Sequence, residues 1–207
     1  MEDADAAACA EALWHLRPVL SGELEKNDME RLYREIEFPL CRVLYRMENR
    51  GICIDREQLR QFGDMLSRRI SDCETLIFSY SGGEFNINST RQLGELLFEK
   101  LGLPPVKKTK TGYSTNAEVL EKLKNKHPIV PAIMDYRMLT KLKSTYADGL
   151  MKEIREDGRI HTTFQNLVTA TGRLSSTEPN LQNIPVRTDL GAEIRKMFIP
   201  KPGCALG

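Results

Sequence analysis

A chain of 207 residues with 41% hydrophobic content can bury a core for one or two domains, and 30 Lys and Arg against 29 Asp and Glu leave a formal net charge of +1. No apolar run approaches the roughly 18 residues that span a membrane, and Glu2, Asp3 and Asp5 stand where a secretion signal would be basic and then apolar, so a cytoplasmic, non-membrane protein is expected. Five scattered cysteines without a C-x-x-C pair exclude a zinc site or a disulfide framework, and each reads as a small buried hydrophobe.

The alanine-rich stretch from Asp5 to about Leu20 predicts a short helix broken near Pro18 and Ser21-Gly22. A second helix, from about Asn27 to Asn49, carries Leu32, Ile36, Leu40, Val43, Leu44 and Met47 at steps of three and four, with Pro39 expected to kink or split it. Gly51 ends it, Ile52 and Ile54 make a brief extended step, and Asp55 with Gln58 caps a helix that runs to about Tyr80, closed by Ser81-Gly82-Gly83. Ser89 with Gln92 opens the next helix, which buries Leu93, Leu96 and Leu97 and stops at Gly102 and Pro104. Between Pro104 and Thr115, turn formers and the lysines Lys107, Lys108 and Lys110 predict a mobile surface loop. Thr115 and Glu118 are expected to cap a short helix ending near Asn125.

A long helix follows from about Pro128 to Ile154, and Asp157-Gly158 turns into a threonine-rich run, 159–171, that predicts one strand. From Gly172 to Gly207 the pattern predicts turns, a short helix at about Ala192–Met197 and a terminal strand at about Gly203–Leu206.

Two stretches carry candidate chemistry. On the long helix, Arg137, Lys141, Ser144, Thr145 and Asp148 share one face and Leu139, Leu142, Tyr146 and Leu150 the opposite one. Cations and hydroxyls over an apolar back suit a track of DNA phosphates; an ordinary solvated helix face is the plainer alternative. The stretch 169–188 is dense in hydrogen-bond donors, among them Arg173, Asn180, Gln182, Asn183 and Arg187, and poor in large apolar groups. Such donors suit the minor groove, where every Watson–Crick pair offers acceptors at nearly equivalent places, so a matched duplex end is held without reading its sequence. His15, His127 and His161 lie far apart and read as structural or exposed, and Glu178, Asp189 and Glu193 read as turn or helix-start residues.

The run Thr169-Ala-Thr-Gly-Arg-Leu-Ser-Ser-Thr-Glu-Pro-Asn-Leu-Gln-Asn-Ile-Pro-Val-Arg187 is similar, almost letter for letter, to the segment leading into the palm of family A DNA polymerases of the bacterial polymerase I type. The resemblance extends through Tyr136-Arg137, Leu139-Thr-Lys-Leu-Lys-Ser-Thr-Tyr146, Phe85-Asn-Ile-Asn-Ser-Thr-Arg-Gln-Leu93, Phe38-Pro-Leu and Gly51-Ile-Cys-Ile-Asp55, covering about residues 30 to 206. It implies an α+β, mainly α fold: the end of an exonuclease-like domain or a linker at 1–27, a helical thumb at 28–155 and the beginning of the palm at 156–207.

The resemblance further implies DNA contacts from Lys107, Lys108 and Lys110 at the thumb tip and from Arg137, Lys141, Lys143, Ser144 and Thr145 along the sugar-phosphate backbone. Arg173 is expected at the minor groove of the primer terminus, Asn180, Gln182 and Asn183 near the junction, and Arg187 at the incoming triphosphate or a backbone phosphate. Primer-template DNA and, in the complete enzyme, dNTP and two Mg²⁺ ions are the implied partners of a monomer. The sequence ends short of the family's first metal-binding carboxylate motif, so no catalytic residue, no metal site and no primer extension are expected of the 207 residues alone. Palm strands cut off from their partners predict poor solubility or disorder after about residue 156. The competing readings are a stand-alone, non-catalytic, sequence-independent DNA-binding module and a structural helical relict.

Overall fold

The structure, a computed structural model, describes residues 3–109 and 112–205. Helices α1 (Asp3–Lys26), α2 (Glu30–Leu32) and α3 (Phe38–Arg50) come first, with a π-helical turn at Tyr33–Glu37 joining the last two. Strand β1 (Ile52–Ile54), helix α4 (Arg56–Ser81) and helix α5 (Thr90–Gly94) follow, and α5 continues into a π turn at Glu95–Lys100. Next are β2 (Lys108–Thr109), β3 (Gly112–Tyr113), α6 (Ala117–Leu123), α7 (Ile129–Leu142), a third π turn at Lys143–Asp148, and α8 (Gly149–Glu153). The order closes with β4 (Arg159–Ile160), β5 (Thr163–Gln165), β6 (Ser175–Thr177), α9 (Asp189–Lys196) and β7 (Phe198–Ile199). The fold class is α+β, mainly α.

The chain divides into two compact units, one made of the residues up to Ile52 with His161–Asn183, the other of Cys53–Ile160 with the residues from Ile184 onward. In the second unit, α4 packs along α7 and along the π turn that follows it. Its main core joins Ile77, Leu93, Leu97, Leu120, Leu123, Ile129 and Ile133, all essentially inaccessible to water. A three-stranded sheet of order β4-β1-β7 belongs to the same unit, with Cys53 opposite Ile199 and Ile54 opposite Phe198.

Local chemistry explains the boundaries. Asp55 caps α4 by accepting from Gln58 N at 2.9 Å and from Gln58 Nε2 at 2.8 Å. Gly82, at φ +73°, ends that helix in the left-handed region where side chains with a Cβ are strained. Ser89 accepts from Gln92 N at 3.4 Å, but the Gln92 side chain accepts from Asn86 N at 2.8 Å instead of closing a reciprocal box.

Several expectations are corrected. Helix α1 runs unbroken through Pro18: the ring costs about 3 kcal/mol in a helix interior, while the Ala, Leu and Glu residues around it are strong helix formers. Pro39 stands in the first turn of α3, directly after a π turn, so the α-helix expected over 27–49 is interrupted just ahead of it. The stripe predicted there is mostly solvent-facing. Only Leu44 is buried, while Ile36 is 56% and Val43 52% exposed.

The expected loop at 104–115 carries an antiparallel hairpin, Lys108 opposite Tyr113 and Thr109 opposite Gly112, because threonine and tyrosine favour extended backbone. Lys110 lies outside the described residues. Asn116, not Thr115, caps α6, accepting from Val119 N at 3.0 Å.

The single strand expected at 159–171 is two short ones, β4 and β5, interrupted where Thr162 turns its hydroxyl to Thr177 O and Pro179 O. The final helix starts earlier than expected, capped by Thr188, and among the described residues the last strand is β7; 203–205 form none, and Leu206 lies outside the described residues. Among the described residues past 156 the short strands have partners, β5 with β6 and β7 with β1. None of the five cysteines is buried: Cys9, Cys41 and Cys204 are exposed, and Cys53 and Cys73 are half-buried.

Candidate nucleic-acid interface

The α7–α8 run, in the second unit, has the two faces the sequence indicates. Leu139, Leu142, Tyr146 and Leu150 are buried, and Lys141, Ser144, Thr145 and Asp148 are exposed. Lys141 makes no side-chain hydrogen bond or ion pair among the described residues, whereas Ser144 Oγ donates to Lys141 O at 3.2 Å. Lys143 is already engaged, its Nζ 2.9 and 2.7 Å from the two Asp148 oxygens.

Arg137 departs furthest from a simple surface cation. It is half-buried, donates from Nη1 to Thr115 O and from Nη2 to Thr115 Oγ1 at 3.2 Å, and burial lowers its pKa from the ordinary guanidinium value. It lines a cleft with Asn88, Arg91, Tyr113 and Asn116. Arg91 and Asn88 are not among the site residues expected from the sequence, where they stand only within the stretch 85–93 that carries the family resemblance. Lys107 is exposed and its carbonyl accepts from Ser114 N at 3.0 Å, which fixes the base of the β2–β3 hairpin.

The second surface lies in the first unit, on the β5–β6 hairpin, with Thr163 opposite Thr177, Phe164 opposite Ser176 and Gln165 opposite Ser175. Helix α3 anchors it: Glu48 Oε1 accepts from Phe164 N at 2.7 Å, Glu48 O from His161 Nδ1 at 2.7 Å, and Glu37 Oε2 from Asn166 Nδ2 at 2.7 Å. In the connecting loop Arg173 is exposed, and its guanidinium has no partner among the described residues. The backbone at and just after it is held: Thr169 Oγ1 donates to Arg173 O, and Gln182 Nε2 donates to Leu174 O at 3.0 Å.

Gln182 thus spends its amide on the chain itself, and Asn180 Oδ1 accepts from Gln182 N at 3.0 Å. Asn183 is exposed at the end of this unit. Arg187, in the other unit, is exposed without a partner among the described residues. The hairpin and the loop bearing Arg173 therefore present one uncommitted cation on a braced backbone, the arrangement a minor-groove donor needs.

Among the described residues the carboxylates near the C-terminal end are placed elsewhere than in a metal clamp. Glu193 pairs with Lys196 at 2.6 Å, Asp189 occupies the first turn of α9, and no group of three or more His, Cys, Asp or Glu among the described residues is placed to hold a metal ion. No described helix is long and apolar enough to cross a membrane.

Residues 56–206 match the model of the DNA polymerase family A. The fold is similar to that of the POL domain of Pol1 from M. smegmatis in complex with DNA primer-template and dNTP. The match has a TM-score of 0.86 and 43% identity, over 94% of this chain and 34% of that one. The chain belongs to DNA polymerase family A. Among its relatives, DNA polymerase I of Bacillus subtilis (strain 168) is 51% identical over 190 residues, 91% of this chain and 22% of that protein. DNA polymerase I of Caldicellulosiruptor bescii is 53% identical over 184 residues, 88% of this chain and 22% of that protein. The chain thus spans about a fifth of the length of these relatives.

Proposed function

We propose that these 207 residues are the part of a polymerase I-type, DNA-directed DNA polymerase that holds primer-template DNA, with 28–155 serving as thumb, 156–207 as the start of the palm and 1–27 as the end of an exonuclease-like domain or a linker. The observation that carries the reading is Arg173: an exposed guanidinium, unpaired among the described residues, on a loop whose carbonyls at Arg173 and Leu174 are both tied down. A donor fixed in this way bonds the purine N3 or pyrimidine O2 of any matched pair, and a mispair that displaces the acceptor costs about 1–3 kcal/mol.

Along the α7–α8 run, Lys141, Ser144 and Thr145 supply phosphate contacts, joined by Lys143, Arg137 and the thumb-tip lysines Lys107, Lys108 and Lys110. Arg187 meets a backbone phosphate or the incoming triphosphate. Asn180 and Asn183 act near the junction, and Gln182 acts there through the backbone it braces. Nucleotidyl transfer, dNTP and two Mg²⁺ ions belong to the complete enzyme, a cytoplasmic monomer.

Fluorescence anisotropy of the purified chain on a primer-template, measured against salt, tests this reading. Log affinity is expected to fall linearly with log salt, and Lys141→Gln to reduce the slope by about 0.9, the share of one phosphate. Arg173→Ala is expected to remove the preference for a matched over a mismatched terminus. A salt-independent affinity, or an unchanged preference in Arg173→Ala, refutes it.

A further inference from the structure

We infer that Arg195 and Gly191 form a clamp that sets where Arg187 projects, which makes them positioning residues for a phosphate contact; the inference rests on the DNA-holding role proposed above. The segment 184–188 belongs to no helix or strand, so no ladder fixes its carbonyls. Arg195 takes over that task. Its Nη2 donates to Pro185 O at 3.0 Å and to Val186 O at 2.8 Å, the two carbonyls immediately before Arg187, and its Nε reaches Gly191 O at 3.5 Å.

Gly191 admits this close approach. A Cβ there would stand 2.1 Å from Pro185 O and 2.8 Å from the carbonyl carbon, so any other residue forces the segment away from α9. On the far side of Arg187, Thr188 Oγ1 accepts from Gly191 N at 3.1 Å, fixing residue 188 as the cap of the same helix. Arg187 is thereby bracketed at 185, 186 and 188 while its own guanidinium stays exposed and unpartnered among the described residues. A guanidinium suits the clamp because one nitrogen carries two N–H groups at fixed angles, one for each carbonyl; an ammonium of equal charge lacks that fork.

The test is the salt dependence of primer-template binding by the full chain and its variants, each shown to be folded by circular dichroism. Arg187→Gln is expected to lower the slope of log affinity against log salt by about 0.9. Arg195→Gln should lower it by the same amount, and the double variant by no more than either single one. Arg195→Lys keeps the charge but not the fork, so it should lose as much as Arg195→Gln. Gly191→Ala provides a second route to the same loss, independent of any charge.

Additive losses in the double variant would mean that Arg195 contacts DNA itself, and full recovery in Arg195→Lys would mean that charge alone matters; either overturns the clamp. So does an unchanged slope in Arg195→Gln beside a reduced one in Arg187→Gln. An unchanged slope in Arg187→Gln removes both the Arg187 contact and the clamp's purpose, whereas the Lys141→Gln result reports separately on whether the chain grips DNA at all.

Discussion

Replacing Thr162 with valine keeps the side-chain volume and removes one donor at the point where β4 gives way to β5. The residue is 7% exposed, and its Oγ1 lies 3.0 Å from Thr177 O and 2.7 Å from Pro179 O, so the variant turns a methyl group toward both carbonyls. A neutral hydrogen bond contributes about 0.5–1.5 kcal/mol net, and a buried polar group stripped of its partner costs about 1–3 kcal/mol. One hydroxyl hydrogen serves two acceptors here, which places the expected loss at about 1–2 kcal/mol. For a protein of this size each kcal/mol moves Tm by about 2–4 °C, so thermal unfolding followed by circular dichroism should shift down by about 2–8 °C. The conservative Thr162→Ser retains the donor and should recover most of the shift. Equal stability of Thr162→Val and the parent, or a serine variant as unstable as the valine one, would refute the assignment of this stability to the hydroxyl.

Gln182→Ala frees the carbonyl after Arg173, so it should weaken matched primer-template binding in the parent and have no further effect in an Arg173→Ala background; additive effects in anisotropy titrations would instead show a direct DNA contact by Gln182. At the start of α4, hydrogen bonds from Arg60 and then from Gln61 hold the Glu57 carboxyl down to about 2 from an ordinary 4.5. A depressed folded-state value means that this stabilisation is complete above pH 4.5 and is lost as the pH falls toward 2. Glu57→Gln should accordingly be less stable than the parent at neutral pH, with the gap in urea midpoint closing through that acid window; a gap that does not change with pH would sink the linkage.

Short-range chemistry was legible in the sequence. The Asp55 and Ser89 caps and the Gly82 stop are decided within three or four residues, and the structure has them where the side chains indicate. The buried back of the α7–α8 run was equally readable from the spacing of Leu139, Leu142, Tyr146 and Leu150. The stripe from Leu32 to Met47 misled because periodicity reports that a helix has two faces and says nothing of what covers the apolar one.

The site divides along the same line. That 169–188 is rich in donors is visible in the letters, but whether a donor serves the chain or faces outward depends on contacts between residues far apart in sequence. Gln182 bonds Leu174 O and Arg137 bonds Thr115, whereas Arg173 and Arg187 are left uncommitted. Arg195 passed unnoticed because it sits on an ordinary amphipathic helix. The one available hint was Gly191, a poor helix former inside an otherwise helical stretch.

The wide turn at Lys143–Asp148 makes the count of residues matter as much as their kind. From Leu142 the inward positions come every fourth residue, at Tyr146 and Leu150, and at 100° per residue each such step drifts by about 40°. Bonding from i to i+5 absorbs that drift, so α7 and α8 are two helices out of phase, spliced by what amounts to one surplus residue. Removing a single residue from the splice would let it relax into plain α-helix with Leu150 seven positions after Leu142 and within about 20° of it, so the buried seam would survive the deletion while the exposed side lost one position.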